Sequence, residues 1–388
     1  MHYKAGDQRP MDHTDILIIG AGVVGLAVAA ELGSACPGKS IALFERNEKF
    51  GQEISSRNSE VVHSGIYYPR GSLKAQLCVR GNQLLYAFCE KHKIPHRRLG
   101  KLIVAIEETD LPSLEELKGK AELNGVQGVE LLKPGQVREL EPEIRTRGAL
   151  LVPSAGIVDS YLLMRRLEDL ALQSGVLPAY CHEVIGIESS GKDYRVQFSN
   201  PDGSIDQIGC SILVNCAGLN APNIAAMPGI DPGRAGYRIY PCKGEYFSVS
   251  FSKSKLVNRL VYPPPLEELR GLGIHLTKNL DGRLRLGPSA FYVDQIDYSV
   301  NPGNLDYFYR AVKDFLPFLD PADLEPEMAG IRPKLQGPED SFRDFIIHHE
   351  ADRGLKGIIN LVGIESPGLT CCFSIAEMVG EIVEDLSD

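Results

Sequence analysis

Residues 55–69, SSRNSEVVHSGIYYP, bring together one histidine, two adjacent tyrosines, an arginine and several serines. The stretch is too polar for a strand buried in a core, which favours a role in contacting a ligand. An imidazole with an ordinary pKa of about 6.5 can take up or release a proton near neutral pH. His63 is therefore a candidate for proton transfer, and Tyr67 is a candidate hydrogen-bonding group beside it.

A glycine motif stands shortly before this stretch, in DILIIGAGVVG. Gly20 suits a tight turn, Gly22 lets the backbone approach a pyrophosphate, and Gly25 lets a helix pack closely on a strand. The unpaired N–H groups and positive dipole at the start of that helix favour phosphate binding. The motif predicts a dinucleotide site.

The elements that must position this motif are two buried strands, 15–19 and 40–45, and a helix at 23–33 between them. Glu45 ends the second strand, twenty residues after Gly25, where a carboxylate can bind a ribose 2′-hydroxyl. Glu45 also argues against a 2′-phosphate, although Arg46 follows it. The motif leaves NAD and FAD open; since no second G-x-G-x-x-G occurs, an FAD enzyme would take electrons from its substrate.

Composition narrows the function classes. The 388 residues carry 41 basic and 51 acidic side chains, a net charge of −10, which argues against a nucleic-acid partner. The nine cysteines are irregularly spaced without C-x-x-C, so neither a disulfide framework nor a metal site is expected. The apolar run 16–30 is too short to span a membrane. We predict a cytoplasmic protein, with peripheral association at the inner face of a membrane left open.

Further periodic patterns predict helices at 71–92, near 111–124 and at 157–174, the last capped by Asp159 or Ser160. Residues 99–108 are predicted as a strand of a different layer. Residues 237–300 are rich in strands, and the end of the chain returns to a β-α pattern. These features predict an α/β protein with two interleaved domains.

Several longer motifs carry a family resemblance: SSRNSEVVHSGIYYP with SLKAQLCVRG, GKLIVA, GIHLT, GIRPKLQGP and NLVGIESPGLT. From about residue 12 to the end, the chain resembles the FAD-dependent L-2-hydroxyglutarate dehydrogenases (oxidases), within the glycine oxidase/D-amino-acid oxidase-like flavoproteins. The resemblance implies non-covalent FAD and oxidation of (S)-2-hydroxyglutarate to 2-oxoglutarate, with hydride transfer from C2 to flavin N5.

The resemblance also implies two discontinuous domains. A Rossmann-like FAD-binding domain with a parallel sheet is expected at 12–95, 142–235 and 336–388. A substrate-binding domain, built on a mixed β-sheet with helices, is expected at 96–141 and 236–335.

For the chemistry, His63 is the first candidate base, because the corresponding segment covers the flavin in similar proteins, and His275 in GIHLT is the alternative. Arg332 resembles the arginine that binds the substrate carboxylate, for which a planar guanidinium is well suited. A dicarboxylate needs a second cation, for which Lys243, Arg57 and Lys334 are candidates. Further hydrogen-bonding candidates are Tyr67, Tyr246 and Tyr262.

The expected FAD contacts extend along the whole chain. A helix beginning near Thr370 would place N–H groups beside the N1–C2=O edge of the flavin. The complete predicted set is Gly20, Gly22, Val24, Gly25, Glu45, Arg46, Ser56, Asn58, Ser59, Val184, Ala217, Gly218, Gly363, Gly368, Leu369 and Thr370.

Other functions stay open at this point. A related flavin oxidase could act on another small acid, such as glycine, sarcosine or glycerol 3-phosphate, and a non-enzymatic nucleotide-binding protein is a third reading. The sequence leaves the electron acceptor open among oxygen, a quinone and a carrier protein.

Overall fold

The structure, a computed structural model, describes residues 12–264 and 273–387. The α-helices in these ranges are α1 (Val23–Ala35), α2 (Leu73–His92), α3 (Leu111–Leu123), α4 (Pro134–Leu140), α5 (Ser160–Gln173), α6 (Ala221–Ala226), α7 (Leu305–Val312) and α8 (Gly368–Ser387). The strands are β1 (His13–Ile19), β2 (Ile41–Glu45), β3 (Val61–Val62), β4 (His96–Arg97), β5 (Lys101–Ala105), β6 (Glu130–Leu132), β7 (Gly148–Val152), β8 (Gly156–Val158), β9 (Leu177–Tyr180), β10 (Glu183–Ser190), β11 (Asp193–Ser199), β12 (Ile205–Asn215), β13 (Tyr240–Val249), β14 (Leu260–Tyr262), β15 (His275–Lys278), β16 (Leu284–Gly287), β17 (Phe291–Tyr292), β18 (Leu324–Lys334), β19 (Ile346–His349) and β20 (Ile358–Val362).

The first sheet is built around the glycine motif. Its order is β10-β11-β12-β1-β2-β9, and β20 pairs with both β12 and β19. The pairs β1–β2, β2–β9, β1–β12 and β12–β20 are parallel. Every residue of β2 is buried, as expected for a strand covered on both faces. Helices α1, α5 and α8 pack together over the largest core. The predicted Rossmann-like parallel arrangement is confirmed.

The second sheet is mixed, in the order β17-β13-β16-β15-β14-β5-β7-β6, with β18 alongside β13. Only β14 and β5 form a parallel pair among its described strands. Helices α4 and α7 pack against one face, and α3 packs against the other together with residues 61–67. This sheet therefore receives the polar stretch with His63 on one of its faces.

The chain alternates between the two sheets. Residues 13–45, 177–215 and 346–362 build the first sheet, whereas 101–152 and 240–334 build the second. Strand β7 lies within the piece 142–235 that was predicted for the FAD-binding domain, but it is hydrogen-bonded to β5 and β6 of the second sheet. The boundary predicted after residue 141 is thus too early, and we propose one after Val152.

The local predictions are largely confirmed. Helix α2 begins with Ser72 as its cap, and α5 begins with Asp159, whose side chain accepts a hydrogen bond from the N–H of Leu162. The predicted start of the latter helix at residue 157 is wrong, because residues 156–158 form β8 and pair with β3 and β4. The nine cysteines are all unbridged. Within the described ranges, no helix combines the length and apolarity that a membrane crossing requires.

Candidate active site

One cavity of about 600 Å³ lies between the two sheets. It is lined by the glycine motif and the end of β2 on one side and by strands of the second sheet on the other. Its size and mixed polar and apolar lining are typical of a cofactor site. The cavity therefore joins both halves of the chain, and its two ends have different chemistry.

The first end is formed by the glycine motif. Gly20 has a φ of +101°, and a Cβ there would lie 2.6 Å from the carbonyl oxygen of Cys216. At Gly25 a Cβ would lie 1.9 Å from the carbonyl oxygen of Gly20. Gly25 therefore allows α1 to pack closely on the glycine turn, but it does not itself line the cavity. Gly22 and Val24 line the cavity where α1 begins. The helix start thus presents bare backbone to the cavity, as phosphate binding requires.

Glu45 lies at the carboxyl end of β2, in the cavity wall. Its Oε2 accepts a hydrogen bond from Ala21 N at 2.8 Å, and its Oε1 accepts two from Asn47, at 2.9 Å (N) and 2.8 Å (Nδ2). These bonds fix the carboxylate beside the glycine turn. Arg46 and Val184 line the same end, and Arg46 is paired with Glu53 at the rim. The arrangement suits an adenosine ribose next to the phosphates.

The stretch 55–59 runs along the cavity after β2. Ser55, rather than the predicted Ser56, faces α1, where its Oγ accepts a hydrogen bond from Val23 N at 3.0 Å; Ser56 is exposed and lies outside the lining. Asn58 and Ser59 line the cavity. The prediction for Ser56 is therefore wrong by one residue, because the short 3₁₀ turn at 54–56 points Ser55 inward.

Arg57 also lines the cavity, and its guanidinium carbon lies 4.3 Å from the ring centroid of Tyr298. A Cβ on Gly330 of β18 would lie 2.1 Å from the carbonyl oxygen of Arg57. Strand β18 of the second sheet thus lies directly against the backbone of the stretch 55–59. Ala217 and Gly218, after β12, complete this wall of the cavity.

The C-terminal loop leading into α8 closes the cavity from the opposite side, with Gly368 and Leu369 in its lining. Thr370 is fully buried behind them, and its Oγ1 accepts a hydrogen bond from His63 N at 2.9 Å. Gly363 also lies outside the lining, because it packs against Leu335. Thr370 therefore holds the backbone of the stretch 55–69 at His63, whereas Gly368 and Leu369 at the start of α8 line the cavity.

Both candidate histidines line the cavity. Nδ1 of His275 lies 2.9 Å from the carbonyl oxygen of Gly273. A carbonyl oxygen only accepts, so Nδ1 carries the proton and Nε2 keeps its lone pair. Burial lowers the pKa of His275 to about 3, so this ring is neutral. Nε2 of His63 lies 3.2 Å from Ser366 Oγ, and burial, with the charge of Lys101, lowers the pKa of His63 as well.

Three tyrosines surround the histidines. Tyr67 and Tyr246 line the cavity, whereas Tyr262 lies behind it and stacks on His275, with ring centroids 3.7 Å apart. The hydroxyls of Tyr67 and Tyr262 are buried without a hydrogen-bond partner among the described residues. Burial raises the pKa of each of these phenols, so all three are neutral hydrogen-bonding groups.

Cations gather at the second end of the cavity. Arg332 and Lys334 are two apart on β18 and share its cavity face. Arg332 donates to the carbonyl oxygen of Ser289, and its buried Nε has no partner within the described ranges. Lys74 Nζ lies 2.9 Å from Glu365 Oε1, and Lys334 Nζ lies 3.9 Å from the same oxygen. Burial opposes ionisation of Glu365, but the two lysines lower the pKa of this carboxyl below its usual value.

Lys243 is not part of this cluster. It lies on the other face of β13, where its Nζ is 2.8 Å from Asp297 and 3.6 Å from Glu245. Because side chains alternate along a strand, the neighbouring Gly244 and Tyr246 face the cavity and Lys243 does not. The prediction of Lys243 as a substrate ligand is therefore wrong.

Sequence reasoning missed Lys74, Glu365, Ser366 and Ser55. Lys74 carries a signal in retrospect, since a lysine in the first turn of a helix repels the helix dipole unless an anion lies nearby. Glu365 follows a buried strand and precedes a helix start, a position at the edge of the sheet where ligands often bind.

The described residues fit a dinucleotide cofactor. The glycine turn leaves no room for a Cβ at Gly20 or Gly25, and the start of α1 presents backbone N–H groups. Glu45 is fixed beside this turn, where the motif places the residue that binds the ribose. The second end of the same cavity holds donors without partners in the described chain, cations and neutral histidines. These groups can bind a small anion next to the cofactor and accept a proton from it.

Comparisons with known proteins agree with this reading. The family model described as FAD dependent oxidoreductase matches residues 15–382. The mitochondrial L-2-hydroxyglutarate dehydrogenase of Arabidopsis thaliana is 36% identical over 95% of this chain and 83% of its own length. The Homo sapiens protein of the same name is 31% identical over 95% and 88%. The dithionite-reduced L-alpha-glycerophosphate oxidase of Mycoplasma pneumoniae with FAD bound is similar in structure, with a TM-score of 0.83, 25% identity and coverage of 96% and 95%.

Proposed function

The chain belongs to the FAD-dependent oxidoreductase family and, within it, to the L-2-hydroxyglutarate dehydrogenases, and we propose that it oxidises (S)-2-hydroxyglutarate to 2-oxoglutarate. Bound FAD would supply the acceptor for the hydride that leaves C2 of the substrate. The residues of this chain bind the dianion, orient it and take up the hydroxyl proton.

The observation that carries the substrate proposal is the charge imbalance at the second end of the cavity. Within the described ranges, Lys74 and Lys334 share one carboxylate, that of Glu365, and Arg332 forms no ion pair. Buried cations that lack partners are costly, so this end favours a ligand with two negative charges. A five-carbon dicarboxylate supplies them, one at each end of the molecule.

The two carboxylates require different partners. Arg332 offers a planar fork, with Nε free of other partners in the described chain, and we assign it the carboxylate beside the reacting carbon. Lys334 lies two residues along the same strand, and Lys74 approaches from α2. We assign the distal carboxylate to these two lysines, with Glu365 holding both of them in place.

The hydrogen bonds of the two histidines indicate which ring accepts the hydroxyl proton of the substrate. Nε2 of His275 keeps a lone pair, because Nδ1 donates to Gly273, whereas Nε2 of His63 already has Ser366 as a neighbour. We therefore propose His275 as the principal acceptor of the hydroxyl proton and His63 as a group that orients the substrate. An anionic substrate raises the proton affinity of a neutral buried imidazole, which offsets its low pKa in the free protein.

The test is anaerobic reduction of the bound flavin, followed by loss of its yellow absorbance. We expect (S)-2-hydroxyglutarate to bleach the flavin and to yield 2-oxoglutarate, while the R enantiomer leaves it oxidised. Glycine, sarcosine and glycerol 3-phosphate are the comparison substrates, the last because it is also a dianion with an oxidisable hydroxyl. Bleaching by one of these, without bleaching by (S)-2-hydroxyglutarate, would refute the proposal; so would binding of NAD with no uptake of FAD.

Two variants test the proton assignment. Replacing His275 by Ala should slow flavin reduction by a factor of about 10²–10⁴ if it is the base. Replacing His63 by Ala should mainly weaken substrate binding. The reverse pattern would return the role of base to His63.

We further propose that FAD is bound non-covalently in a cytoplasmic enzyme. Release of free flavin on acid denaturation tests the first part, and fractionation of cells into soluble and membrane pools tests the second. Re-oxidation of the reduced protein by air, by a soluble quinone or by a carrier protein identifies the acceptor class.

A further inference from the structure

Lys101 opens β5 and is completely buried, although it carries an ammonium group. Its Nζ has no hydrogen-bond partner among the described residues. An unpaired buried charge is expensive, and ionisable groups with strongly perturbed surroundings cluster at functional sites. Lys101 lies outside the lining of the cavity and is not used by the chemistry described above.

Aromatic rings surround this ammonium. Nζ lies 4.0 Å from the ring centroid of Tyr262 and 5.4 Å from that of Tyr67, both within the range of cation–π attraction. His275 stacks on Tyr262 with an interplanar angle of 17°. Because the imidazole covers one face of the phenol at 3.7 Å, the ammonium at 4.0 Å must occupy the other face.

The result is a stack of ammonium, phenol and imidazole that ends at the cavity. The other titratable groups near Lys101 come from four parts of the chain, and none of them is a carboxylate: His63 and Tyr67 from the stretch after β3, Cys78 from α2, Tyr262 from β14 and His275 from β15. No carboxylate in the described chain forms an ion pair with Lys101 under 4.0 Å. Because no nearby carboxylate neutralises it, the positive charge of Lys101 acts electrostatically on the two histidines.

We infer that Lys101 is a positioning residue for the oxidation: it fixes His275 through Tyr262, and it places a positive charge behind both cavity histidines. The inference rests on the proposed role of His275 as base. Burial lowers the pKa of Lys101 to about 7, and an arriving anion favours its charged form. Burial is the main cause of the lowered pKa of His63 and of His275; the charge of Lys101 adds to it at both rings, and the charge of Arg332 adds to it at His275.

The size of the effect follows from the stack. Ammonium and imidazole lie about 8 Å apart across the phenol, where unit charges in a protein interior shift a pKa by roughly one to two units. Replacing Lys101 by Met removes the charge and nearly conserves the volume. The pKa of His275 should rise by this amount, so the acid limb of the kcat/KM profile should move to higher pH.

Two readouts separate this role from plain packing. Histidine resonances in ¹⁵N NMR, assigned with His63→Gln and His275→Gln, report protonation directly and require no turnover. The pH profile of anaerobic flavin reduction reports it during the reaction. Lys278→Met, which removes a half-buried lysine from β15 of the same sheet, is the matched control and should leave the histidine titrations unshifted.

The outcomes are distinct. If K101M slows flavin reduction equally at every pH and leaves both histidine titrations unchanged, Lys101 is structural and the inference fails, while the wild-type reaction stands. If wild-type protein is not bleached by (S)-2-hydroxyglutarate, the proposed function fails and the NMR titration still tests the charge.

If K101M does not fold, Tyr262 provides the test. Tyr262→Phe keeps the stacked ring and should leave the chemical shifts of the His275 ring protons close to their wild-type values, whereas Tyr262→Leu removes the ring and should displace them. Unchanged His275 shifts in Tyr262→Leu would overturn the stack.

Discussion

Replacing Arg332 by Met is the sharpest test of the anion site. Arg332 is held on β18 by donation to the carbonyl oxygen of Ser289, and its Nη2 lies 3.6 Å from Cys242 Sγ. These contacts fix the plane of the guanidinium before any ligand arrives, and the buried Nε remains available. Methionine fills much of the same space but offers neither charge nor donors.

The magnitude follows from the bonds that are lost. A fork binding a carboxylate makes two charge-assisted hydrogen bonds, each worth about 1.5–3 kcal/mol. Their loss amounts to roughly 3–6 kcal/mol, or about 10²–10⁴ in kcat/KM. Since the glycine motif and Glu45 lie at the other end of the cavity, FAD content should be unchanged.

The assay is anaerobic stopped-flow reduction of the flavin at increasing (S)-2-hydroxyglutarate, with FAD content measured on the same sample. Arg332→Lys keeps the charge without the fork and should fall between wild type and Arg332→Met. A kcat/KM for Arg332→Met within threefold of wild type would refute the carboxylate role. Loss of FAD in this variant would refute the separation of the two cavity ends.

Three further variants probe other parts of the site. Gly25→Ala places a Cβ 1.9 Å from the carbonyl oxygen of Gly20, so we expect loss of bound FAD and destabilisation by about 3 kcal/mol or more, measured by denaturant unfolding. Gly119→Ala is its control: it lies in α3 with nothing within 4 Å and should stabilise by about 0.5–1 kcal/mol. Thr370→Val strands the His63 N–H and should cost about 1–3 kcal/mol; an unchanged Tm would contradict this. Glu365→Gln leaves buried lysines uncompensated and should lower Tm. The folded pKa of Glu365 lies below its unfolded value of about 4.3, so its stabilisation is present above pH about 4 and is lost as pH falls through the folded pKa. A Tm difference between wild type and Glu365→Gln that stays constant down to pH 3 would contradict it.

Sequence reasoning reached the cofactor end of the site because the signals there are local. Gly20, Gly22 and Glu45 follow one another along a single β-α-β unit, and the turn geometry demands those residue types. Arg332 was reached through the resemblance carried by the short motif GIRPKLQGP. One local turn sets the types and spacing of the first three residues, whereas the assignment of Arg332 depends on the resemblance.

Lys243 shows a prediction that strand parity could have corrected. It was assigned to the substrate together with Tyr246, three residues away on one strand, although residues an odd number apart point to opposite faces. One of the two assignments had to be wrong once this segment was predicted as a strand.

The remaining groups depend on long-range packing. Lys74 and Glu365 are 291 residues apart in sequence and meet only because α2 and the C-terminal loop pack together. The tautomer of His275 depends on a carbonyl, and Lys101 looks like an ordinary residue at a strand edge until its burial is known. No local pattern carries such information.

The placement of β20 has a consequence for biosynthesis. This strand inserts beside β12, and α8 packs on both α1 and α2, yet both elements follow every other strand and helix of the described chain in sequence. A growing chain on the ribosome therefore exposes the apolar flank of β12 and α1 until residues 358–387 have been synthesised. Chaperone binding to nascent chains should persist until then, and flavin should enter only after release.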